Sequence, residues 1–260
     1  MVKNIQDIHL DNPPIIEALI DIQASLPDDV KVGDLETLHS KIQKDYPTKV
    51  GRYAFQAELK GEQGKAPAFT QSDLGIRGFL FKSKDEKQIA QFRLDGFTFS
   101  RLKPYQDWEH IRDEAKKLWD IYVAGSRPLK IHRLAVRYIN LIEIQEEKFR
   151  LEDYFETYPK VPNKTLPEGT EINGFASQVI LNFPSGTNVI INQGTIPGKQ
   201  RNITFDIDVF LKRDYDNPKD PEIWEMFDKN FRELKDDIFK QSFTKKGYQY
   251  LRERKHDVAC

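Results

Sequence analysis

A chain of 260 residues can bury roughly 70–75% of the surface its unfolded form exposes, so neither disulfides nor a metal is needed to hold a core. Forty Lys and Arg against forty-one Asp and Glu leave a formal charge of −1 at pH 7, which excludes a bulk field gathering nucleic acid or an anionic membrane. The single cysteine, Cys260, excludes an intramolecular disulfide framework and a cysteine-built metal cluster.

The opening stretch "MVKNIQDIHLDNPP" has no apolar run after its Lys, and no later segment approaches the ~18 consecutive apolar residues of a membrane span. A cytoplasmic protein without membrane contact is expected. "PPIIEALIDIQASLP" (13–27) reads as a strand, and "DLETLHSKIQKDYP" as a short helical phrase ending before Pro. Three β-rich runs follow, "GRYAFQAEL", "GIRGFLFKS" and "QIAQFRLDGFTFSRL", separated by Gly-containing turns. A helix is then predicted at about 107–124, with Leu118, Trp119, Tyr122 and Val123 as its apolar stripe.

The same order returns in the second half. "LKIHRLAVRYINLIEI" (129–144) is a strand of nearly the same length, set against the first at an offset of 116 from Ile15 to Ile131. "RLEDYFETYP" repeats the helical phrase, and "GFASQVILNF", "TNVIINQG" and "RNITFDIDVFLK" supply three more β-rich runs. A closing helix at about 221–240 carries Phe227, Phe231, Leu234 and Ile238. Trp108-Glu109 meets Trp224-Glu225, again at 116. Each half therefore reads β-α-β-β-β-α, and the predicted fold is α+β with two pseudo-equivalent lobes, 13–125 and 129–245. Each lobe would lay helices on one face of an antiparallel sheet.

Glu17 falls on Arg133, Asp21 on Arg137 and Arg93 on Asp206, so three equivalent strand positions carry opposite signs. Pairing between lobes about a pseudo-twofold axis would use such positions, with Asp21 the first expected partner of Arg137 and Glu17 the second. The loops 61–75, 160–173 and 212–222 are polar and unequal between halves, which is where specificity on a repeated scaffold usually sits.

"NPPIIEALIDI", "SRLKPYQDWEHI", "LAVRYIN" and "FDIDVF" follow one another across nearly the whole chain. In these pieces it resembles the sporadically distributed family of bacterial and archaeal proteins of this length with PPIxEA, SRLxPYxxW and RYIN motifs. The resemblance implies a patchy distribution, as of genes on mobile or defence islands, and brings no active site with it.

The sequence contains no GxxxxGK[ST], GxGxxG, HExxH or GxSxG. Its five histidines, His9, His39, His110, His132 and His256, include no i,i+4 pair. Asp206 and Asp208 lie two apart on a strand and share a face, where they could hold a hard divalent ion or pair with neighbouring cations. Asp45 with Glu58 and Lys60 has the residue types of a restriction-nuclease site, but Asp45 closes a helical phrase rather than a strand. Ser242 and Lys245 match SxxK with none of its companion motifs, and Ser242 reads as a helix C-terminal residue.

Arg101, Lys103, Tyr105 and Trp108 in "SRLKPYQDW" mix cations with aromatic faces at a strand-to-helix turn, a composition able to grip an anion or a stacked ring. The structural alternative assigns Trp108 to the core, Asp107 to the N-cap and Pro104 to the strand end. Arg137 and Asn140 interrupt an otherwise apolar strand. Taken together these features predict a non-enzymatic binding or accessory subunit, of a defence- or toxin-related system, with a ligand or partner groove at the lobe junction. Its expected partner is a protein or a small anionic ligand, and no cofactor is expected. Metal-assisted hydrolysis at Asp206 and Asp208, or nucleic-acid binding, are the alternatives.

Overall fold

A computed structural model describes residues 10–60, 68–146, 149–160, 167, 170 and 173–253. In chain order its elements are β1 (Ile15–Ser25), α1 (Val32–Thr37), α2 (His39–Ile42), β2 (Thr48–Lys60), β3 (Ala68–Lys82), β4 (Gln88–Arg93), β5 (Gly96–Leu102) and α3 (Trp108–Ser126). They continue as β6 (Lys130–Glu143), α4 (Leu151–Tyr154), β7 (Ala176–Asn182), β8 (Thr187–Ile196), β9 (Lys199–Tyr215), α5 (Pro221–Glu225), a π-helical segment (Met226–Phe231), α6 (Arg232–Gln241) and α7 (Lys245–Glu253). The described strands make a nine-stranded antiparallel sheet in the order β2-β3-β4-β5-β1-β6-β9-β8-β7, and with the helices the fold is mixed α+β. Among the described residues no helix is long and apolar enough to cross a membrane. Residues 61–67 of the first variable loop, and most of 160–173, lie outside the described residues.

The first half differs from its expected element order by one strand. "QIAQFRLDGFTFSRL" is a hairpin, with Gln88 opposite Arg101 and Arg93 opposite Gly96 across a two-residue Leu94-Asp95 turn. Gly96 makes it possible. Its φ is +141°, and a Cβ there would stand 2.2 Å from the Ile22 carbonyl oxygen, so only a residue without a side chain lets the hairpin close against β1.

The chain divides into two compact units. One holds Ala18–Val136 with Leu211–Trp224, and its core is organised by α3. Asp107 is extended at the N-cap and accepts the His110 backbone N–H at 2.8 Å, which starts the helix at Trp108. Arg127, in left-handed conformation at φ 51°, ends it. Trp108, Ile111, Ala115, Leu118, Trp119 and Tyr122 form the buried stripe. Trp119 and Tyr122 stack at 5.3 Å and meet Phe97 and Phe92 of the sheet at 5.8 and 5.6 Å. Their polar ends are satisfied: Tyr122 Oη donates to the Arg93 carbonyl at 2.8 Å and Trp119 Nε1 to the Pro218 carbonyl at 2.9 Å.

The other unit holds Arg137–Phe210, Glu225 onward, and the chain up to Glu17. Its helix side buries Tyr138, Asn140 and Ile142 of β6 and Ile203, Phe205, Ile207 and Val209 of β9. Phe205 and Phe243 meet at 5.6 Å, and Phe155 and Phe239 flank Phe243 at 5.1 and 4.9 Å. α7, which is not among the expected elements, lies against Tyr154. A Cβ on Gly247 would fall 2.1 Å from the Tyr154 carbonyl oxygen.

The π-helical segment corrects the predicted stripe of the closing helix. More residues per turn carry the buried face through Phe227 and Phe231 to Lys235, leaving Leu234 and Ile238 half-buried. Lys235 is thus a lysine in an apolar stripe. Its Nζ lies 3.9 Å from the centroid of the Tyr138 ring and is paired with Asp236. Burial pushes its pKa below the ordinary lysine value, more than Asp236 raises it.

Because the folded pKa lies below the unfolded one, the unfolded chain binds the extra proton in that interval. Stability should therefore rise as pH climbs from the folded value towards the unfolded one. Lys235→Met, which keeps the volume and removes the charge, is expected to stabilise the protein by about 1–2 kcal/mol at pH 7 and to abolish that rise. Denaturant midpoints across alkaline pH would show it, and a loss of stability would mean that the pairing outweighs the burial.

Candidate functional site

On the face of the sheet opposite the helices, each unit carries its own polar cluster. In the α6 unit a row of hydrogen bonds crosses four strands. Arg137 of β6 donates through Nε and Nη2 to the two carboxylate oxygens of Asp206 on β9, at 2.8 and 2.6 Å. Asn192 of β8 donates to Asp206 Oδ2 at 3.0 Å, and Gln178 of β7 donates to Asn192 Oδ1 at 2.7 Å. The Asp206 side chain is 9% exposed and that of Arg137 42%, so the carboxylate is buried under a guanidinium that still reaches water. The Asp206 hydrogen bonds hold the Arg137 pKa above its ordinary value, with Asp208 and Glu17 adding to the effect.

This corrects the expected pairing of Arg137 with Asp21. Asp21 belongs to a cluster in the α3 unit: its Oδ1 accepts from Arg93 Nη1 at 3.0 Å and from Thr98 Oγ1 at 2.7 Å, and its Oδ2 from Arg133 Nη1 at 3.2 Å. Arg93 also reaches Asp95 through Nε at 2.9 Å. The opposite signs at equivalent positions therefore belong to two pairs, Asp21 with Arg93 and Arg137 with Asp206, each closed within its own unit.

Asn140 does not join Arg137. Three residues on along the strand, it lies on the helix side, 1% exposed, and donates to the Phe205 carbonyl at 2.9 Å. Asp206 and Asp208 do share a face, as expected, but both Asp206 oxygens are occupied. No group of three or more His, Cys, Asp or Glu among the described residues could hold a metal ion. The side chains of Glu58 and Lys60 lie outside the described residues, while Asp45 stands 3.4 Å from Lys117 Nζ. Ser242 Oγ donates back to the Ile238 carbonyl at 2.7 Å, the helix C-terminal role expected of it.

"SRLKPYQDW" divides between the two readings given to it. Trp108 is 3% exposed and belongs to the core, and Asp107 is the N-cap. Arg101, Lys103 and Tyr105 line the turn, with Lys103 exposed and Arg101 and Tyr105 half-buried. Arg101 Nε donates to the Pro104 carbonyl at 3.3 Å. Gln88, Phe99, Arg101, Gln106, His110 and Ile111 enclose a small slot at the start of α3.

His110 is fixed there by Asp107, whose carboxylate oxygens stand 2.6 and 2.7 Å from Nδ1. Gln88, directly across from Arg101, accepts from the Tyr46 hydroxyl at 2.7 Å. Gln88, Gln106 and His110 are the residues sequence reasoning missed. The signals were the Asp107-to-His110 spacing of an N-cap and the Leu94-Asp95 turn ahead of Gly96, which sets Gln88 opposite Arg101. No protein-family model matches the chain, and no curated protein is similar to it.

Proposed function

We propose that the protein is a non-enzymatic binding or accessory subunit, of a defence- or toxin-related system, that takes a protein partner or a small anionic ligand. One observation carries this reading. Asp206, one of the two carboxylates whose type and spacing suit a metal, is joined to Arg137 and to Asn192 across neighbouring strands, and a carboxylate that accepts three hydrogen bonds has little left for a metal. The cations Arg101 and Lys103 lie instead at the turn before α3. The resemblance to a sporadically distributed family supports the defence setting.

The two internal pairs also support reading residues 13–125 and 129–245 as copies of one unit. Each half then holds an ion pair between strands with its signs exchanged, reaching across β5 in the first half and joining the adjacent β6 and β9 in the second, and the extra strand in the first half is a later elaboration.

Expression together with the products of the flanking genes is expected to yield a stoichiometric complex on size-exclusion chromatography. Mn2+-dependent hydrolysis of a phosphodiester by the isolated chain, lost in Asp206→Asn, would overturn the reading in favour of the hydrolase.

A further inference from the structure

The slot at the start of α3 has the composition of an oxyanion site. Arg101 stands at the end of β5, and the hydrogen bond from Nε to the Pro104 carbonyl fixes the plane of its guanidinium. Its charge reaches Asp85, whose pKa is lowered first by the Ser83 and Lys87 hydrogen bonds and further by Arg101. His110 contributes a second directed group. With Nδ1 held by both oxygens of Asp107, the ring turns Nε2 outward, and its side chain is 66% exposed.

Gln88 Oε1 stands 2.7 Å from the Tyr46 hydroxyl, which also reaches Glu114 Oε1 at 2.9 Å, and Gln106 supplies an amide at the rim. The floor is apolar, made by Phe99 and Ile111, both buried. Lys103, exposed two residues beyond Arg101, adds a cation outside the slot. The enclosed space is about 10 Å³, room for roughly one water-sized atom group. What enters is therefore one or two oxygens of an anion whose remainder stays in solvent.

We propose that Arg101 and His110 form a phosphate-binding site at the start of α3, which takes the terminal oxygens of free phosphate or of a phosphomonoester. Arginine suits this chemistry because its planar fork can give two parallel N–H bonds to one phosphate, and an imidazole whose Nδ1–H is given to Asp107 presents Nε2 as an acceptor for the hydroxyl of a protonated phosphate. The inference rests on the binding-subunit reading and names the anion for it.

Inorganic phosphate and, separately, O-phosphoserine are titrated into the full chain while the side-chain nitrogen resonances of Arg101 and His110 are followed by NMR. Saturable shifts at both residues, in the millimolar range or tighter, are expected, and the tighter ligand identifies the source. Arg101→Gln should weaken binding at least tenfold and His110→Gln about threefold. Arg127→Gln, which breaks a surface pair with Asp29, should leave it unchanged. Thermal unfolding of each variant confirms that it folds.

No saturable shift with either ligand, or equal weakening by Arg127→Gln, would overturn the site. That failure leaves complex formation with the flanking gene products intact. Conversely, Asp206-dependent hydrolysis would remove the binding-subunit reading and leave phosphate binding at Arg101 standing.

Discussion

Asp21→Ala is expected to destabilise the protein by about 3–5 kcal/mol, because it takes a shared carboxylate away from the buried Arg93 guanidinium and from the partly buried Arg133. The Asp21 side chain is 12% exposed, that of Arg93 9% and that of Arg133 16%. In the native protein one carboxylate neutralises both arginines and receives the Thr98 hydroxyl as well. Without it Arg93 keeps Asp95, which is largely in water, and the like charges of Arg93 and Arg133 face each other. Asp21→Asn should fall between wild type and Asp21→Ala, since the amide oxygen still accepts a hydrogen bond but offers no charge. Urea midpoints at constant slope measure all three. A loss below about 1 kcal/mol for Asp21→Ala would show that the cluster behaves as a surface ion pair.

Gly96→Ala is the second large effect. A methyl group there meets the Ile22 carbonyl oxygen at 2.2 Å and the Gln23 Cα at 2.9 Å, both backbone atoms that cannot swing aside, and φ of +141° is strained for any L side chain. A cost of about 3 kcal/mol or more is expected, with hydrogen-exchange protection lost first in β5 and at Ala24, whose N–H donates to the Asp95 carbonyl at 3.1 Å. Gly198→Ala is the comparison. That glycine also has a positive φ, +74°, but nothing stands within 4 Å of its Cβ position, so only the backbone term of about 1 kcal/mol should appear.

Much of the fold is legible where periodicity and local chemistry agree. The alternation of β6 and β9, the stripe of α3 and the Asp107 cap all follow from side-chain spacing alone. The hairpin at 88–102 is hidden because the apolar Leu94 sits in the Leu94-Asp95 turn itself and carries the apolar pattern across it. The shift from Leu234 and Ile238 to Lys235 is hidden for a different reason: a π-helical turn changes the period, and a stripe drawn with one period cannot anticipate it.

The ion pairs needed strand order. Sequence equivalence matches Asp21 to Arg137 as positions, but pairing is decided by which strands are neighbours. β5 lies between β4 and β1, so Arg93 reaches Asp21 past Thr98, whereas β9 lies beside β6 and gives Arg137 its carboxylate. For the slot before α3, Arg101 and Gln106 lie within "SRLKPYQDW", whereas Gln88 and His110 come from β4 and the first turn of α3.

Whether Arg137 and Asp206 are architecture or free chemistry is decided by a double-mutant cycle of Arg137→Ala, Asp206→Ala and the double variant, read as unfolding free energies in urea. A structural pair predicts a coupling of about 2 kcal/mol, less than for a fully buried pair because the guanidinium is half in water. Arg137→Ala should be the costlier single change, since it leaves Asp206 buried with Asn192 alone. A coupling below about 0.5 kcal/mol, with both single variants as stable as the wild type, would contradict that assignment and return Asp206, with Asp208, to candidacy as a metal site.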